Sequence, residues 1–412
     1  MTESGEKALL PPGMNDLLPP HAAFEAAVVE SLIAAFGTHG YERVKPPLVE
    51  FEETLLGGAG ASMAGQTFRL MDPVSHRMLA LRADMTLQIA RIATTRLGHV
   101  ARPLRLCYAG QVLQVSGSQL RSQRQIGQVG CELIGGHGAA ADGEIITLAA
   151  QALAGIGVRG LSVDLNLPPL VPVICQAFGL HPPQIAALRA ALDRKDAAGV
   201  AALGGPAAKL LGDLLAAAGP ARKALAALGA LTLPAGAAQD VARLREVVAL
   251  VERVAPDLKI TVDPVENRGF EYHTGVSFVL FALGVRGELG RGGRYRAGAV
   301  NGAGGGVIAA VGGAPSAALP STATGGNGAA MTGEPSTGFT LFMDTVLQAI
   351  PGPRPGRRLF LPLGAAPAEA ARLRAEGWVT VAGLASVNDG AAEARRLGCT
   401  DVLTAGKIVS LT

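Results

Sequence analysis

The chain has 412 residues, of which 49% are apolar, and its formal net charge is +3. This length allows two or three domains with a substantial core, and the apolar content excludes an intrinsically disordered chain. The arginines are scattered, whereas a nucleic-acid binder usually shows a basic stripe or run. We therefore expect no nucleic acid among its partners.

The sequence shows no targeting or metal-binding pattern. Its first residues, MTESGEKALLPPG, include no apolar segment typical of a signal peptide, and no stretch approaches the ~20 uncharged apolar residues of a membrane helix. The four cysteines lie far apart without a CxxC pair, which indicates reduced thiols in a cytosolic protein. The seven histidines show no metal-ligand spacing. We expect a cytoplasmic protein with no metal and no membrane association.

Hydrophobic periodicity predicts mixed helices and strands in the first part of the chain. Phe24, Val28, Leu32 and Phe36 recur every four residues, which indicates one face of a helix. In chain order we predict a helix over 20–36, a strand broken by two prolines over 41–50, a strand over 78–84, a helix over 84–97, two strands within 107–136, a helix over 142–156 and a strand over 160–166. The two prolines confine their segment to a sheet edge or an interface.

The second part of the chain changes character twice. Residues 168–250 are rich in Ala and Leu and predict a helical insertion, after which strands return near 259–264 and 275–284. Residues 311–337 are rich in small residues and Pro and predict a flexible loop. Residues 357–412 repeat strand and helix and predict a small C-terminal α/β unit. We expect an α+β fold, with an antiparallel sheet flanked by helices.

The strand QRQIGQVGCEL is the first candidate binding element. Because strand side chains alternate, Arg124, Gln128 and Glu132 share one face, and Gly130 leaves room between them. Four residues span ~13 Å along a strand, which brackets a molecule of amino-acid size. In this interpretation Glu132 meets an ammonium group and Gln128 a polar side chain. The alternative is a solvated sheet face.

Two further runs carry candidate ligand-binding side chains. In ENRGFEYHTG, Arg268 can bind a carboxylate through two hydrogen bonds, and Tyr272 or His273 can bond an imidazole or a hydroxyl. In LRADMT, Asp84 and Thr86 lie at a strand-to-helix junction. Helix capping by Asp84 is the alternative explanation there.

Five segments, in this order, resemble those of histidyl-tRNA synthetases: PPGMNDLLP, LRADMT, QVLQ…RQIGQVGCELIGG, RGFEYHTG and GGRY. The resemblance covers roughly residues 8–345, and RGFEYHTG is similar to the histidine-pocket motif of that synthetase. It implies a class II aminoacyl-tRNA synthetase-like domain over 1–345, with an antiparallel sheet and a helical insertion. It also implies histidine-pocket roles for the matching residues Asp84, Thr86, Gln128, Glu132, Arg268 and Tyr272. His273 replaces the second tyrosine of the usual R-G-L-D-Y-Y.

The nucleotide side departs from the synthetase pattern. Gln114 and Ser116 replace the arginine and glutamate of F-R-x-E, and Phe342 and Thr345 replace the second glycine and the arginine of G-x-x-x-G-[LI]-[DE]-R. Preorganised cations stabilise the charge that develops during adenylation, so losing both arginines costs several kcal/mol, order of magnitude. The resemblance therefore implies that this chain does not activate an amino acid with ATP.

A histidine pocket without nucleotide chemistry resembles the regulatory subunits of short-form ATP phosphoribosyltransferase, which are paralogues of histidyl-tRNA synthetase in histidine biosynthesis. The resemblance implies a non-catalytic chain without a cofactor, with L-histidine as its regulatory ligand. It implies a separate catalytic subunit, a hetero-octamer built on self-dimers, and a dimer interface at the Pro47 segment. The alternatives are an active histidyl-tRNA synthetase or another synthetase-like ATP-dependent ligase.

Residues 357–412 show no basic patch suited to tRNA.

Overall fold

A nine-stranded sheet is the centre of the first of two structural units, Met1–Pro351 and Gly352–Thr412. The computed structural model describes residues 10–56, 63–117, 121–266, 273–298, 333–353 and 356–411. The strands, in their spatial order, are β1 (Glu42–Arg43), β5 (Leu104–Leu113), β6 (Gln125–Ile134), β12 (Glu334–Phe342), β11 (Gly290–Ala297), β10 (Ser277–Ala282), β7 (Leu161–Asn166), β9 (Lys259–Asp263) and β8 (Gly219–Pro220). The pairs β1–β5 and β7–β9 are parallel, and the other pairs are antiparallel.

Helices flank this sheet, and six of them follow one another between β7 and β9. The helices of this unit are α1 (His21–Thr38), α2 (Glu52–Leu55), α3 (Thr86–Arg91), α4 (Gly138–Gly155), α5 (Leu170–Ala177), α6 (Pro182–Asp193), α7 (Ala197–Ala202), α8 (Gly205–Ala216), α9 (Ala221–Ala230), α10 (Ala235–Val254) and α11 (Met343–Val346). A π-helix, Ile92–Arg96, continues α3. A smaller antiparallel sheet has the order β2 (Val49–Phe51), β4 (Met78–Leu81) and β3 (Arg69–Met71).

Apolar side chains cover both faces of the large sheet. On one face, the predicted periodicity of α1 is confirmed, because Val28, Leu32 and Phe36 are buried. Phe36 meets Phe339 of β12 edge to face, with the ring centroids 5.5 Å apart. The other face is covered by α3 and its neighbours in a second apolar cluster. Strand β6 is therefore enclosed on both sides.

Several element boundaries differ from the predictions. Helix α3 begins at Thr86 rather than at residue 84, because the Asp84 carboxylate accepts a hydrogen bond from the Thr86 N–H, at 2.8 Å. Helix α4 begins at Gly138, four residues before the predicted start. Strand β12 already begins at Glu334, so the last four residues of the predicted loop 311–337 pair with β11. Residues 311–332 of that loop lie outside the described residues.

The second unit is a four-stranded sheet with two helices. Its strands have the order β14 (Val379–Ala382), β13 (Arg358–Leu361), β15 (Asp401–Thr404) and β16 (Lys407–Ser410), and its helices are α12 (Pro367–Ala375) and α13 (Gly390–Arg396). Strand β13 is parallel to β14 and β15, as a β-α repeat requires. The predictions missed β16, which pairs antiparallel with β15. The α+β fold class, with its helix-flanked antiparallel sheet, is confirmed.

Candidate amino-acid-binding site

Strand β6 presents Gln128 and Glu132 on its predicted common face, and both side chains are buried. Gln128 is 2% exposed and Glu132 is 1% exposed. The alternative of a solvated sheet face is therefore wrong for these two residues. Because a carboxyl group and an amide group are taken out of water, each requires hydrogen-bond partners nearby.

Gln128 connects β6 to the loop before α3. Its Nε2 donates to Oδ2 of Asp84 at 3.0 Å, and its Oε1 accepts from the backbone N–H of Met85 at 3.2 Å. The other carboxylate oxygen of Asp84 accepts from the N–H of Thr86. Asp84 therefore bonds both to the first residue of α3 and to Gln128, while the N-cap position of α3 belongs to Met85.

Glu132 lies between two tyrosines that come from different strands. Tyr295 on β11 donates to Oε2 of Glu132 at 2.7 Å, and Tyr108 on β5 donates to Oε1 at 3.4 Å. The Tyr108 hydroxyl also lies 2.8 Å from Oγ1 of Thr340 and 3.4 Å from Oγ1 of Thr86. These contacts join Asp84, Thr86, Gln128 and Glu132 in one buried network, which we call the carboxyl cluster.

Burial dominates the electrostatics of the carboxyl cluster. It raises the pKa of Glu132 to about 8, although the hydroxyls of Tyr295, Thr86 and Tyr108 act in the opposite direction. Burial also raises the pKa of Asp84, against the hydrogen bonds from Thr86 and Gln128. A cation placed beside either carboxyl group would lower its pKa and favour the ionised form.

Glycines make the close packing of this cluster possible. Gly338 of β12 pairs with Glu132, and a Cβ at Gly338 would collide with Oε2 of Glu132. Gly130 was predicted to leave room for a ligand. That interpretation is wrong, because a Cβ there would lie 2.5 Å from the Tyr108 hydroxyl, which fills the space.

The other predicted site residues have different outcomes. The structure does not bring Arg124 to the cluster, because its guanidinium donates to the carbonyl oxygens of Gln114, at 3.3 Å, and Pro12, at 3.2 Å. His273 is buried, and its ring lies against Gly293 of β11. Arg268 and Tyr272 lie outside the described residues.

Three residues of this hydrogen-bond network were not predicted as site residues from the sequence. Tyr108, Tyr295 and Thr340 come from three strands, and only the register of β5, β11 and β12 relative to β6 brings them together. Tyr295 stands in the GGRY motif, which was a sequence signal for it. Nothing in the sequence around Tyr108 or Thr340 indicates a contact with Glu132.

Next to the cluster, the chain's own side chains contact one another where the resemblance to synthetases predicts altered nucleotide motifs. The guanidinium of Arg121 stacks on the Phe342 ring, 4.1 Å from its centroid, and Arg121 Nε donates to Asp344 at 2.8 Å. The hydroxyl of Thr345 donates to the carbonyl oxygen of Glu288 at 2.7 Å. Gln114 pairs through its backbone with Arg124.

Among the residues that the structure describes, no three His, Cys, Asp or Glu side chains are grouped to hold a metal ion. No helix within the same ranges has the length and apolar character needed to span a bilayer.

Comparison with known proteins places this fold and site in a family. The family model for histidyl-tRNA synthetase matches residues 13–316. A solved structure described as an ATP phosphoribosyltransferase regulatory subunit/histidyl-tRNA synthetase from Bacillus halodurans superimposes with a TM-score of 0.75, at 23% identity, over 96% of this chain and 97% of that one. The sheet and the sequence match thus define a protein of the histidyl-tRNA synthetase-like class.

Curated relatives identify the branch within that class. ATP phosphoribosyltransferase regulatory subunits from Rhodospirillum centenum and Paramagnetospirillum magneticum are each 54% identical to this chain. The first match covers 98% of this chain and 97% of the relative, and the second covers 100% of both. This chain belongs to the family of ATP phosphoribosyltransferase regulatory subunits.

Proposed function

We propose that this chain is a non-catalytic subunit that binds free L-histidine and transmits feedback inhibition to a separate ATP phosphoribosyltransferase subunit. The observation that carries the proposal is the carboxyl cluster, in which Asp84 and Glu132 are buried and held by hydroxyl, amide and backbone N–H donors. A cationic group from a small ligand suits this arrangement better than water does, because it compensates the cost of burying two carboxyl groups.

The cluster supports specific roles in binding L-histidine. Asp84 and Glu132 receive the α-ammonium group, and Gln128 and Thr86 orient Asp84 through the contacts described above. His273, which lies on the same sheet face over Gly293, borders the imidazole side. By resemblance, Arg268 binds the carboxylate and Tyr272 the imidazole.

The altered nucleotide motifs support the non-catalytic part of the proposal. A synthetase needs preorganised cations around the reacting phosphate. Here Thr345 is bonded to a backbone carbonyl, and Arg121 is held between Phe342 and Asp344. Gln114, at the position of the other expected arginine, carries no charge. We infer that no amino acid is adenylated with ATP here and that the chain needs no cofactor.

The partners in this proposal are a catalytic subunit and a second copy of this chain. The names of the relatives imply the catalytic partner. We propose a hetero-octamer built on self-dimers, with the segment around Pro47 at the dimer interface, and a cytoplasmic location. Four free, buried cysteines are compatible with a reducing compartment.

Phosphoribosyl transfer by the short-form catalytic subunit tests the proposal. The reaction is measured with the catalytic subunit alone and with this chain added, and L-histidine is then titrated. We expect this chain to raise the activity and L-histidine to suppress it. Substitution Glu132→Ala should abolish the suppression while the two chains still co-elute, because Glu132 is buried and is not part of the exposed surface that a partner chain contacts.

The same preparation separates this proposal from the synthetase alternatives. Histidine-dependent exchange of pyrophosphate into ATP would show that the nucleotide site works, and it would contradict the proposal. If this chain activates the catalytic subunit but L-histidine has no effect, the proposed partner stands and the proposal that L-histidine is the ligand fails.

A further inference from the structure

Two cysteines lie opposite each other in the central sheet. Cys107 of β5 and Cys131 of β6 are direct partners in the antiparallel register, so their side chains project to the same face, where α1 packs. Both thiols are free, and the two residues are 1% and 0% exposed. Of the other two cysteines, Cys175 lies on α5 and Cys399 follows α13, so neither belongs to a strand. The register thus brings together one particular pair of thiols.

The backbone shows that Cys107 and Cys131 form a pair without mutual hydrogen bonds. The carbonyl oxygen of Cys107 accepts from the N–H of Val44 at 2.9 Å, so it points away from β6. Such pairs in antiparallel sheets bring their Cα atoms to ~4.5 Å, closer than hydrogen-bonded pairs. A disulfide requires Cα atoms ~4.4–6.8 Å apart. The two thiols therefore lie within reach of a disulfide without any change in strand pairing.

Cys107 is the thiol that an oxidant reaches more easily. Its outer neighbour, the edge strand β1, has only two residues, and both are exposed. Segments with few buried contacts open locally at low free-energy cost. Burial raises the pKa of Cys107 to about 11, although Arg43 of β1 acts in the opposite direction, and burial raises the pKa of Cys131 well above its ordinary value. Oxidation is therefore slow and begins at Cys107.

We propose that Cys107 and Cys131 are a redox-sensitive pair, which a peroxide closes to a disulfide and which then weakens ligand binding at Glu132. The Cys107 thiolate attacks hydrogen peroxide, the O–O bond breaks, and a sulfenic acid and one water form. The Cys131 thiol attacks the sulfenic sulfur, the S–S bond forms, and the hydroxyl group leaves as a second water with the Cys131 proton. One peroxide is reduced for each disulfide formed.

The disulfide acts on the carboxyl cluster through the two strands. Tyr108 follows Cys107, Glu132 follows Cys131, and on the opposite face of the sheet the Tyr108 hydroxyl donates to Oε1 of Glu132 at 3.4 Å. A disulfide needs Cβ atoms ~3.8 Å apart, whereas paired residues hold them at ~4.5–5.5 Å. Because close-packed interiors transmit strain, contraction at the cysteines changes the spacing of Tyr108 and Glu132. This consequence rests on the proposed function, in which Glu132 binds L-histidine.

Peptide mapping of the folded, full-length wild-type chain after treatment with hydrogen peroxide tests the disulfide. We expect one pair of peptides linked through Cys107 and Cys131, with the loss of two hydrogen atoms, and full reversal by dithiothreitol. The Cys131→Ala variant should instead carry oxygen on Cys107, because its sulfenic acid has no partner thiol. Cys175→Ala is the matched control and should form the wild-type linkage. After unfolding in urea, where the register is absent, linkages to Cys175 and Cys399 should appear as well.

Calorimetric titration with L-histidine tests the consequence for binding. We expect the oxidised wild type to bind L-histidine ~3–10-fold more weakly than the reduced wild type, and dithiothreitol to restore the affinity. In the double variant Cys107→Ala/Cys131→Ala, peroxide should leave the affinity unchanged. This control separates the disulfide from oxidation of methionine side chains.

The outcomes separate the thiol pair from the proposed function. Thiols that stay free or are oxidised separately in the folded wild type would overturn the disulfide, and the decisive map uses no variant that could fail to fold. A disulfide that leaves the affinity for L-histidine unchanged would overturn its effect on binding. If the reduced wild type does not bind L-histidine, the proposed function fails and the effect on binding with it, whereas the peptide map still decides the disulfide.

Discussion

The hydroxyl of Tyr295 donates a 2.7 Å hydrogen bond to Oε2 of Glu132, although β12 lies between the strands that carry them. The contact is possible because Gly338, on the intervening strand, has no side chain. A residue 163 positions away in the sequence therefore sets the orientation of the central carboxyl group. It also stabilises the ionised form of Glu132, because a hydrogen bond donated to a carboxylate favours its charged form.

Substitution Tyr295→Phe removes only that hydroxyl. Because the hydrogen bond lowers the pKa of Glu132 against the effect of burial, its loss should raise this pKa further. A hydrogen bond to a charged group contributes about 1.5–3 kcal/mol, so L-histidine binding should weaken ~10–100-fold. Calorimetric titration measures the affinity, and Tyr41→Phe, which removes a hydroxyl bonded to Glu144 outside the cluster, is the control. Equal affinity in Tyr295→Phe and the wild type would contradict the role of this contact.

The raised pKa of Glu132 predicts a pH dependence of stability. The folded chain retains this proton up to about pH 8, whereas the unfolded chain loses it near the ordinary value of 4.5. Protonated Glu132 therefore contributes its full stabilisation below the pKa that it has in the unfolded chain. This stabilisation is lost as the pH rises through the pKa that it has in the folded chain. Between about pH 5 and about pH 8, the free energy of unfolding should decline less in Glu132→Gln than in the wild type. Urea unfolding at both pH values measures this, and parallel declines would disprove the protonated state.

Binding of L-histidine should release a proton from Glu132. Near pH 7.4 the free site is largely protonated, and the arriving ammonium group favours the ionised form. We expect release of about one proton per ligand, because a single carboxyl group changes state. Titrations in two buffers of different ionisation enthalpy give this number. Release of a full proton by a Glu132→Gln variant that still binds would assign the proton to another group.

The glycine at position 338 is required by the Glu132 carboxylate. A Cβ there collides with Oε2, so Gly338→Ala should cost about 1–3 kcal/mol of stability and disrupt L-histidine binding. In the double variant with Glu132→Ala the collision with the carboxylate disappears, while the 2.6 Å approach to the Cys131 carbonyl oxygen remains. The two effects should therefore fall short of additivity by ~0.5–3 kcal/mol. Gly212→Ala within α8, where a Cβ meets only ordinary contact, is the control. Strict additivity in urea unfolding would mean that the carboxylate does not occupy this space.

Arg82 holds the Pro46–Pro47 segment against the strand that leads to Asp84. Its buried guanidinium donates to the carbonyl oxygens of Gln111, at 2.8 Å, and Pro46, at 3.1 Å. Lysine cannot make both contacts, so Arg82→Lys should lower the free energy of unfolding by about 2–4 kcal/mol. It should also reduce self-association, because the segment around Pro47 lies at the proposed dimer interface.

Urea unfolding and sedimentation velocity measure the two effects. The matched control is Arg43→Lys, since Arg43 forms an exposed ion pair with Glu30 that contributes less than ~1 kcal/mol. A loss in Arg82→Lys no larger than in this control would contradict the role of Arg82. Loss of stability without loss of the dimer would separate Arg82 from the interface.

Local sequence patterns predicted the relative positions of candidate site residues that lie on one strand or at one strand-to-helix junction. The period of two placed Gln128 and Glu132 on one face of β6, and the acid before a helix placed Asp84 at the start of α3. The same alternation wrongly added Arg124, because that residue precedes the strand and bonds to Pro12 and Gln114. The alternation of side chains between the two faces of a sheet holds only for residues within the strand itself.

Sequence patterns were sufficient to predict the fold class, the helix periodicity of α1 and the shared face of Gln128 and Glu132. These features depend on neighbours within a few positions, where chain geometry relates residue spacing directly to direction. The meeting of Tyr108, Tyr295 and Thr340 at Glu132, and the tyrosine beside Gly130, became apparent only in three dimensions. Strand order and register result from packing of the whole unit, so contacts across four strands have no local signature.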